Sequence, residues 1–496
     1  MRSVLRWLTL SRLLSIIALA AVFAIALRAP LDTDTYWHLR AGEWQFSERR
    51  LLDRDIFSFS RTGEEWVNHS WLAQLILYGF YAVLGDAGLA LYVALIAALA
   101  LALLMTTIQG DPLVRAGVVI LAAATAAVFW SARPQMLSFL LGSLTYVLLW
   151  QALRGGRDRL WLIPLLMILW ANLHGGFAIG FILLVLAVLG EGLRWAFEEA
   201  LPALREGKRP SVPRMMLRLV LIGLVSALAI AVNPYGIRML LYPFQTVGIG
   251  VLRDYIQEWA APDFHLKATW PFIWLLLGTF VAVGLSPLRL DWRDAVNVSG
   301  LAYAALLAGR NMSIFAVVCT PVLALHLDSW FKTLRFHMDW RRPPTGVFAA
   351  ANWLLLALTI TGVVIKGIYA LNPATLQDAR AAVLPVDAAA YLAGANLPGE
   401  LFNSYNWGGY LIWTARDVPV FVDGRTDLYD DSLLREYLTA YFANEGWIDI
   451  LAEHEINTVL IEPGAPLAKV LALMPGWRLD YAGSIAVIYV REDARN

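Results

Sequence analysis

Apolar residues come in long unbroken runs, at 9–28, 70–84, 88–108, 115–130, 135–153, 160–173, 176–195, 215–232, 268–285, 293–308, 313–331 and 346–366. Most are close to the roughly 20 residues that an α-helix needs to cross a hydrocarbon layer of about 30 Å. The pattern predicts a polytopic helical membrane domain over residues 1–366. After Lys366 the pattern changes. Short apolar segments (401–402, 419–422, 458–461, 485–489) alternate with helical stretches (433–442, 447–454, 468–474). That rhythm predicts a small α/β domain over residues 367–496.

The first run follows Arg2 and Arg6 and contains Arg12. It is too long for the apolar part of a signal peptide, so it reads as an uncleaved span with a cytoplasmic N-terminus. The stretches 154–159, 192–218, 287–293 and 332–342 are short and basic, which places them in the cytoplasm. Counting outward from them puts Asp32, Arg133 and the C-terminal domain on the opposite, extracytoplasmic side. An even number of spans must then separate Asp32 from Arg133, yet three runs lie between them. The run 70–84 is short, carries Gln74 and Gly79, and reads as an amphipathic helix lying on the outer surface. Eleven spans result, N-in and C-out. A long polar and aromatic first outer loop, 29–69, is helical in part from Tyr36 to Arg49.

Composition narrows the class. Hydrophobic residues make up 59% of the 496 and charged residues 16%, with a mean hydropathy of +0.59. Formal net charge is zero, so no basic surface suggests nucleic acid as a partner. The single cysteine, Cys319, lies inside an apolar run, which excludes a disulfide within the chain. The expected setting is a cell membrane, with the chain crossing it many times.

Polar chemistry gathers at the predicted outer ends of the spans. Asp32, Asp34 and His38 follow the first span. One aspartate suffices to cap a helix, whereas two at a span exit can also supply a general base or hold a divalent cation. That cation is the one cofactor the residues suggest. No H-x-x-x-H spacing supports a histidine zinc centre. Arg133, Asn172 with His174, Asn233 with Tyr235, and Arg310 with Asn311 each sit at a helix end broken by Gly or Pro. Each alone reads as a cap or a snorkelling side chain. Four such breaks on one face predict a polar cavity, joined by His69 from the first loop. Two arginines suit a phosphate, because guanidinium forks match its oxygens. In the C-terminal domain, 403–410 reads as strand, glycine turn and helix start. Residues 421–425 read as a strand whose end releases Asp423, Arg425 and Asp427 into a loop, either as ligands or as a turn-fixing pair.

Together these motifs resemble the GT-C class of membrane glycosyltransferases, and most of all an uncharacterised group of bacterial multi-span proteins. The resemblance is carried by Asp32-Thr-Asp34-Thr-Tyr-Trp-His38, Asp55-Ile-Phe-Ser-Phe and Trp66-Val-Asn-His69-Ser-Trp-Leu. It continues through Arg133-Pro-Gln, His174-Gly-Gly-Phe, Asn233-Pro-Tyr-Gly, Arg310-Asn, Trp407-Gly-Gly-Tyr-Leu and Phe421-Val-Asp423-Gly-Arg425-Thr-Asp427. It implies inverting transfer of a sugar from a polyprenyl-phosphate lipid to an acceptor at the outer face, the acceptor being a glycan, lipid or protein. Asp34 or Asp32 would act as base, and Arg133, Arg310 and His174 would bind the donor phosphate. His38, His69, Asn172, Asn233, Tyr235 and Asn311 would line the cavity. Asn68-His69-Ser70 stands where one branch of the class carries Lys-Pro-Pro, and Gln135 where relatives carry Asp, so donor and acceptor stay open. A transporter of lipids or glycans and a non-catalytic scaffold are the rival readings. A transporter predicts inverted repeats, and the sequence has none.

Overall fold

The computed structural model describes residues 6–206, 208, 210–248, 250, 257–334 and 343–492. Arg2 and residues 335–342 of the last basic stretch lie outside the described residues. Every one of the twelve apolar runs is helical. Among the described residues, seven helices are long and apolar enough to cross a membrane, and Leu10–Ala26 and Leu162–Leu173 are shorter apolar helices. The chain is thus a helical membrane protein with a small sheet near its C-terminus. Local chemistry sets the boundaries. Asp111 caps the helix Pro112–Ala126 by accepting from the Leu113 N–H at 2.8 Å, with Pro112 in the first turn, where a missing N–H costs nothing.

The stretch 70–84 runs into the next helix as Trp71–Leu104, but the helix breaks at Gly85, whose φ of 58° and ψ of −139° are not helical. Beyond that break the chain doubles back until Gly88 meets the Phe80 carbonyl, where any side chain would overlap it. The limb before Gly85 packs along the loop-one helix Asp34–Glu48. Gln45 Nε2 donates to Gln74 Oε1 at 2.8 Å, and Gln74 exchanges two 2.8 Å hydrogen bonds with Asn68. Residues 70–84 are therefore built into the first-loop assembly.

The broken helix ends gather on the same end of the molecule as loop one and the C-terminal domain. At the opposite ends, arginines of the basic stretches meet two acids that the sequence pattern did not single out. Glu191 pairs with Arg194 and Arg293 at 2.8 and 2.7 Å, and Asp294 with Arg154 at 2.5 Å. Both acids are buried, so the arginines offset the cost of removing their charge from water.

The C-terminal sheet has strands β1 (Glu400–Asn403), β2 (Ile456–Ile461), β3 (Trp477–Ala482) and β4 (Val487–Arg491), in the order β1-β2-β4-β3. Only β1 and β2 run parallel. Three expected strands are present and 419–422 is not one of them. Val420 instead bridges Ser58 of loop one, its N–H donating to the Phe57 carbonyl at 3.1 Å. That segment is apolar because it is buried under loop one, not because it lies inside the sheet. β3 escaped the sequence pattern because it is an edge strand with little burial. A single hydrophobic cluster joins Tyr36, Trp37 and Trp66 of loop one to Phe402, Leu411 and Phe421 of the C-terminal domain.

The expected ligand loop at Asp423 and Arg425 is a buried ionic knot. Arg425 and Asp423 are both 0% exposed. The Arg425 guanidinium donates to Asp423 at 2.7 and 2.9 Å and to Asp55 of loop one at 2.6 Å. Tyr429 donates to Asp423 at 2.5 Å, and the rings of Phe57 and Trp66 lie 5.1 Å from the guanidinium carbon. The turn-fixing pair of Asp423 with Arg425 is present, but buried and extended to Asp55, so both carboxylates are held by one arginine out of reach of solvent. Removing one partner from such a set costs about 3–5 kcal/mol. Arg425→Met should therefore lower the detergent-solubilised melting temperature sharply. Arg416→Met, which loses a half-exposed pair with Glu43, should cost no more than about 1 kcal/mol. Equal effects of the two would discount the knot.

Candidate functional site

Where the first span ends, the chain turns into the helix Asp34–Glu48, and the two acids of that turn divide the work. Asp32 Oδ1 accepts from the Asp34 N–H at 3.0 Å, which is the capping role. Asp34 then projects its carboxylate from the first helical turn. Its Oδ1 accepts from the Trp37 indole N–H at 3.1 Å.

Arg133, at the break between Pro112–Ala126 and Gln135–Leu153, reaches both acids. One Nη lies 3.2 Å from Asp32 and 2.7 Å from Glu258, and the other 3.1 Å from Asp34. Three carboxylates share one guanidinium in a partly buried pocket. Burial disfavours the Asp34 carboxylate, the Asp32 and Glu258 charges add to that, and Arg133 opposes them. The result is a pKa pushed up to about 6. No group of three or more His, Cys, Asp or Glu side chains among the described residues is disposed to hold a metal ion. The carboxylates that could have held a divalent cation converge on the Arg133 guanidinium instead, so the donor set does not fit a cation.

The turn that carries Glu258, Gln257–Trp259, also touches the second arginine. The Arg310 guanidinium stacks on the Trp259 ring at 3.7 Å. The two arginines are thus brought to one place by adjacent residues of one turn.

His174 interrupts the helical run at Leu173, its backbone extended before the 3-10 turn Gly175–Phe177. Its Nδ1 accepts from the Gly176 N–H at 3.0 Å and faces the Ser138 hydroxyl at 2.8 Å. The Ser138 oxygen in turn accepts from Trp170 at 2.7 Å. A ring nitrogen that accepts a backbone N–H carries no proton, so the neutral ring bears its hydrogen on Nε2. His69 lies 5.8 Å from the His174 ring and 4.5 Å from the Tyr242 ring, with Nδ1 3.8 Å from Asp427. Burial holds His69 below the ordinary histidine range, against the pull of Asp427.

Other expected cavity residues have simpler work. Asn172 donates to the Ile168 and Val232 carbonyls, Asn233 to Ala171 and Asn311 to Ala304, each at 2.8 or 2.9 Å. These bonds satisfy carbonyls that broken helices release. Tyr235 accepts the Asn68 N–H at 2.8 Å. His38 is buried behind Trp37, with its ring centroid 3.5 Å away and Gln74 at 3.4 Å.

Sequence reasoning missed Glu258, Tyr405 and Gly424. Glu258 lies in a mixed stretch with no motif around it. Tyr405 is half-buried, and burial together with the nearby Asp34 and Asp423 carboxylates holds its hydroxyl protonated. Beside the site, Trp71, Leu72, Leu165, Ile168, Leu169, Val232 and Pro234 line an open groove of about 530 Å³ that reaches Asn172 and Asn233.

No family model and no curated protein sequence matches the chain. Among solved structures the fold does have counterparts, and they are membrane proteins named as an oligosaccharyltransferase and as ArnT. The Archaeoglobus fulgidus oligosaccharyltransferase in its apo form superposes with a TM-score of 0.55 at 14% identity, over 91% of this chain and 69% of its own. The archaeal oligosaccharyltransferase AglB in complex with an inhibitory peptide and a dolichol-phosphate matches at 0.55 and 12% identity, over 90% and 69%. ArnT from Cupriavidus metallidurans bound to undecaprenyl phosphate matches at 0.50 and 13% identity, over 96% and 97%. At these identities the likeness is one of fold.

Arg133 is the main group drawing Asp34 down against burial and its two acidic neighbours, with the Trp37 hydrogen bond adding to it. Arg133→Ala should therefore push Asp34 above 6 and leave it largely protonated at pH 7. A hydrophobic carbodiimide, which modifies protonated carboxyls, should label Asp34 severalfold more in the variant by peptide mass spectrometry. Unchanged labelling would show that the guanidinium does not govern this carboxylate.

Proposed function

We propose that the chain is an inverting glycosyltransferase that moves a sugar from a polyprenyl-phosphate donor to an acceptor hydroxyl at the outer membrane face. The observation that carries this reading is the Asp34 carboxylate, with its pKa near 6, bound to Arg133 beside Asp32 and Glu258. A general base works best when its pKa lies near the operating pH. Two arginines joined by one turn suit the phosphate that leaves. The fold shared with proteins captured with dolichol-phosphate and undecaprenyl phosphate supports a lipid-linked donor. The apolar groove ending at Asn172 and Asn233 gives a prenyl chain a dry surface to lie on. The same reading has eleven spans, N-in and C-out, with 70–84 on the outer surface and the units 1–366 and 367–496.

The proposed step runs as follows. Donor phosphate draws Arg133 away from the acids, aided by Arg310 and by the His174 Nε2–H. Asp34, relieved of that contact, takes the acceptor proton as the acceptor oxygen attacks the anomeric carbon from the face opposite the phosphate. The carbon–oxygen bond to phosphate breaks, its electron pair leaves with the lipid phosphate, and the anomeric configuration inverts. Charge grows on the phosphate as it departs, so the arginines act mainly in the transition state. Asp32 keeps its capping role.

Purified protein is supplied with radiolabelled polyprenyl-phosphate hexoses and aminosugars, and released lipid phosphate is followed, so that hydrolysis reports even without an identified acceptor. Asp34→Asn should lower the rate about 10²–10⁴-fold and Arg310→Ala should weaken donor use. Only the carboxylate form accepts a proton, so kcat/KM, which reports the free protein, should rise with pH and reach half its plateau near pH 6. Absence of turnover by the wild type across the panel, or a rate in Asp34→Asn equal to wild type, would sink the reading.

A further inference from the structure

Three sides of the Asp34 carboxylate are accounted for differently. Trp37 donates to Oδ1 and Arg133 to Oδ2. The third side is bare backbone from the C-terminal domain, 390 residues further along the chain: Gly424. A Cβ built at Gly424 overlaps Asp34 Oδ1. Glycine is often required because the chain turns with a positive φ, but Gly424 is not among the positive-φ glycines. Its backbone conformation is open to any residue, so what makes glycine necessary here is the space taken by the Asp34 oxygen.

That space cannot be made by yielding on the other side. Gly424 sits between Asp423 and Arg425, both fully buried, and the Arg425 N–H and guanidinium both bind Asp423. Arg425 also binds Asp55. The knot therefore pins the Gly424 backbone against Asp34 from two separate parts of the chain. A dry peptide wall on one face of the carboxylate is also the kind of burial that disfavours its charge.

We propose that Gly424 is a positioning residue, through which the C-terminal domain sets the orientation and the desolvation of the Asp34 carboxylate. The assignment of Asp34 as base rests on the function proposed above, whereas the contact itself does not. The C-terminal domain is on this view one wall of the site, and the sequence element 423–425 acts by shape at position 424.

The test uses the full-length chain in detergent with Gly424→Ala, alone and combined with Asp34→Ala. Gly464→Ala serves as control, since a Cβ there meets nothing within 4 Å. If the added methyl collides with Asp34, Gly424→Ala lowers the melting temperature in the wild-type background and not in the Asp34→Ala background. The coupling of the two sites is then read directly from the double-mutant cycle. Where the single variant stays stable, the carboxylate has moved out towards water. The pH midpoint of its carbodiimide labelling should then fall from about 6 towards the ordinary aspartate value of about 4. Sugar transfer should drop on the order of a hundredfold, as a displacement of about 1 Å can cause, with undecaprenyl phosphate affinity changed less than about twofold. Equal destabilisation in both backgrounds overturns the proposal, as does a stable Gly424→Ala with unaltered labelling and turnover. Wild-type protein that transfers no sugar overturns the proposed function alone, because the melting and labelling readouts still decide the role of Gly424.

Discussion

The buried Arg425 guanidinium is the interaction on which the joining of loop one to the C-terminal domain depends. It lies between Asp55 of the first loop and Asp423 of the C-terminal domain, where a charge left alone would cost several kcal/mol. The only low-energy arrangement keeps the three together. Loop one and the C-terminal domain therefore form one body with a shared core of Trp37, Trp66, Phe402 and Phe421. Tyr405, Gly424 and Asp427 then face Asp34 and His69 across that seam.

A second ionic centre, built on Arg133, is partly exposed, and three acids share its guanidinium where two share that of Arg425. The Arg425 knot is satisfied and closed; the Arg133 cluster is crowded and open to one side. Unequal satisfaction of this kind separates a structural ion network from a site that can exchange partners. Asp34 is held in between, with a pKa near 6, neither a permanent charge nor a permanent acid.

The helices contribute mainly by breaking. His174, Arg133, Asn233 and Arg310 all stand where a span stops short and turns through a 3-10 segment or a tight bend. The asparagines there satisfy released carbonyls, whereas Arg133 meets three carboxylates, Arg310 an indole ring and His174 a backbone N–H. Thus the same break supplies both a structural patch and a chemical group, and the two are told apart only by where each side chain's hydrogen bonds go.

Much of this was legible along the chain. Run length and composition sufficed for the helical membrane domain, because each span must satisfy its own backbone in hydrocarbon whatever its neighbours are. The change of rhythm after Lys366 announced the α/β domain, and the shortness of 70–84 set it apart from the other runs, though its break at Gly85 and its packing on loop one were not readable. The pair Asp32–Asp34, Arg133, His174 and Arg310 could be picked out because charge at a span end is costly and therefore informative. Other features were decided only in three dimensions. The sequence could not reveal that Asp423 and Arg425 turn inward to meet Asp55, that Val420 pairs with Ser58, or that Glu258 joins Arg133. Nor could it show that Gly424 rests on Asp34. Each depends on a partner more than 120 residues away. Local patterning records how a segment meets solvent or lipid, whereas the pairing of buried charges and the contact of bare backbone depend on which distant segment the fold brings alongside.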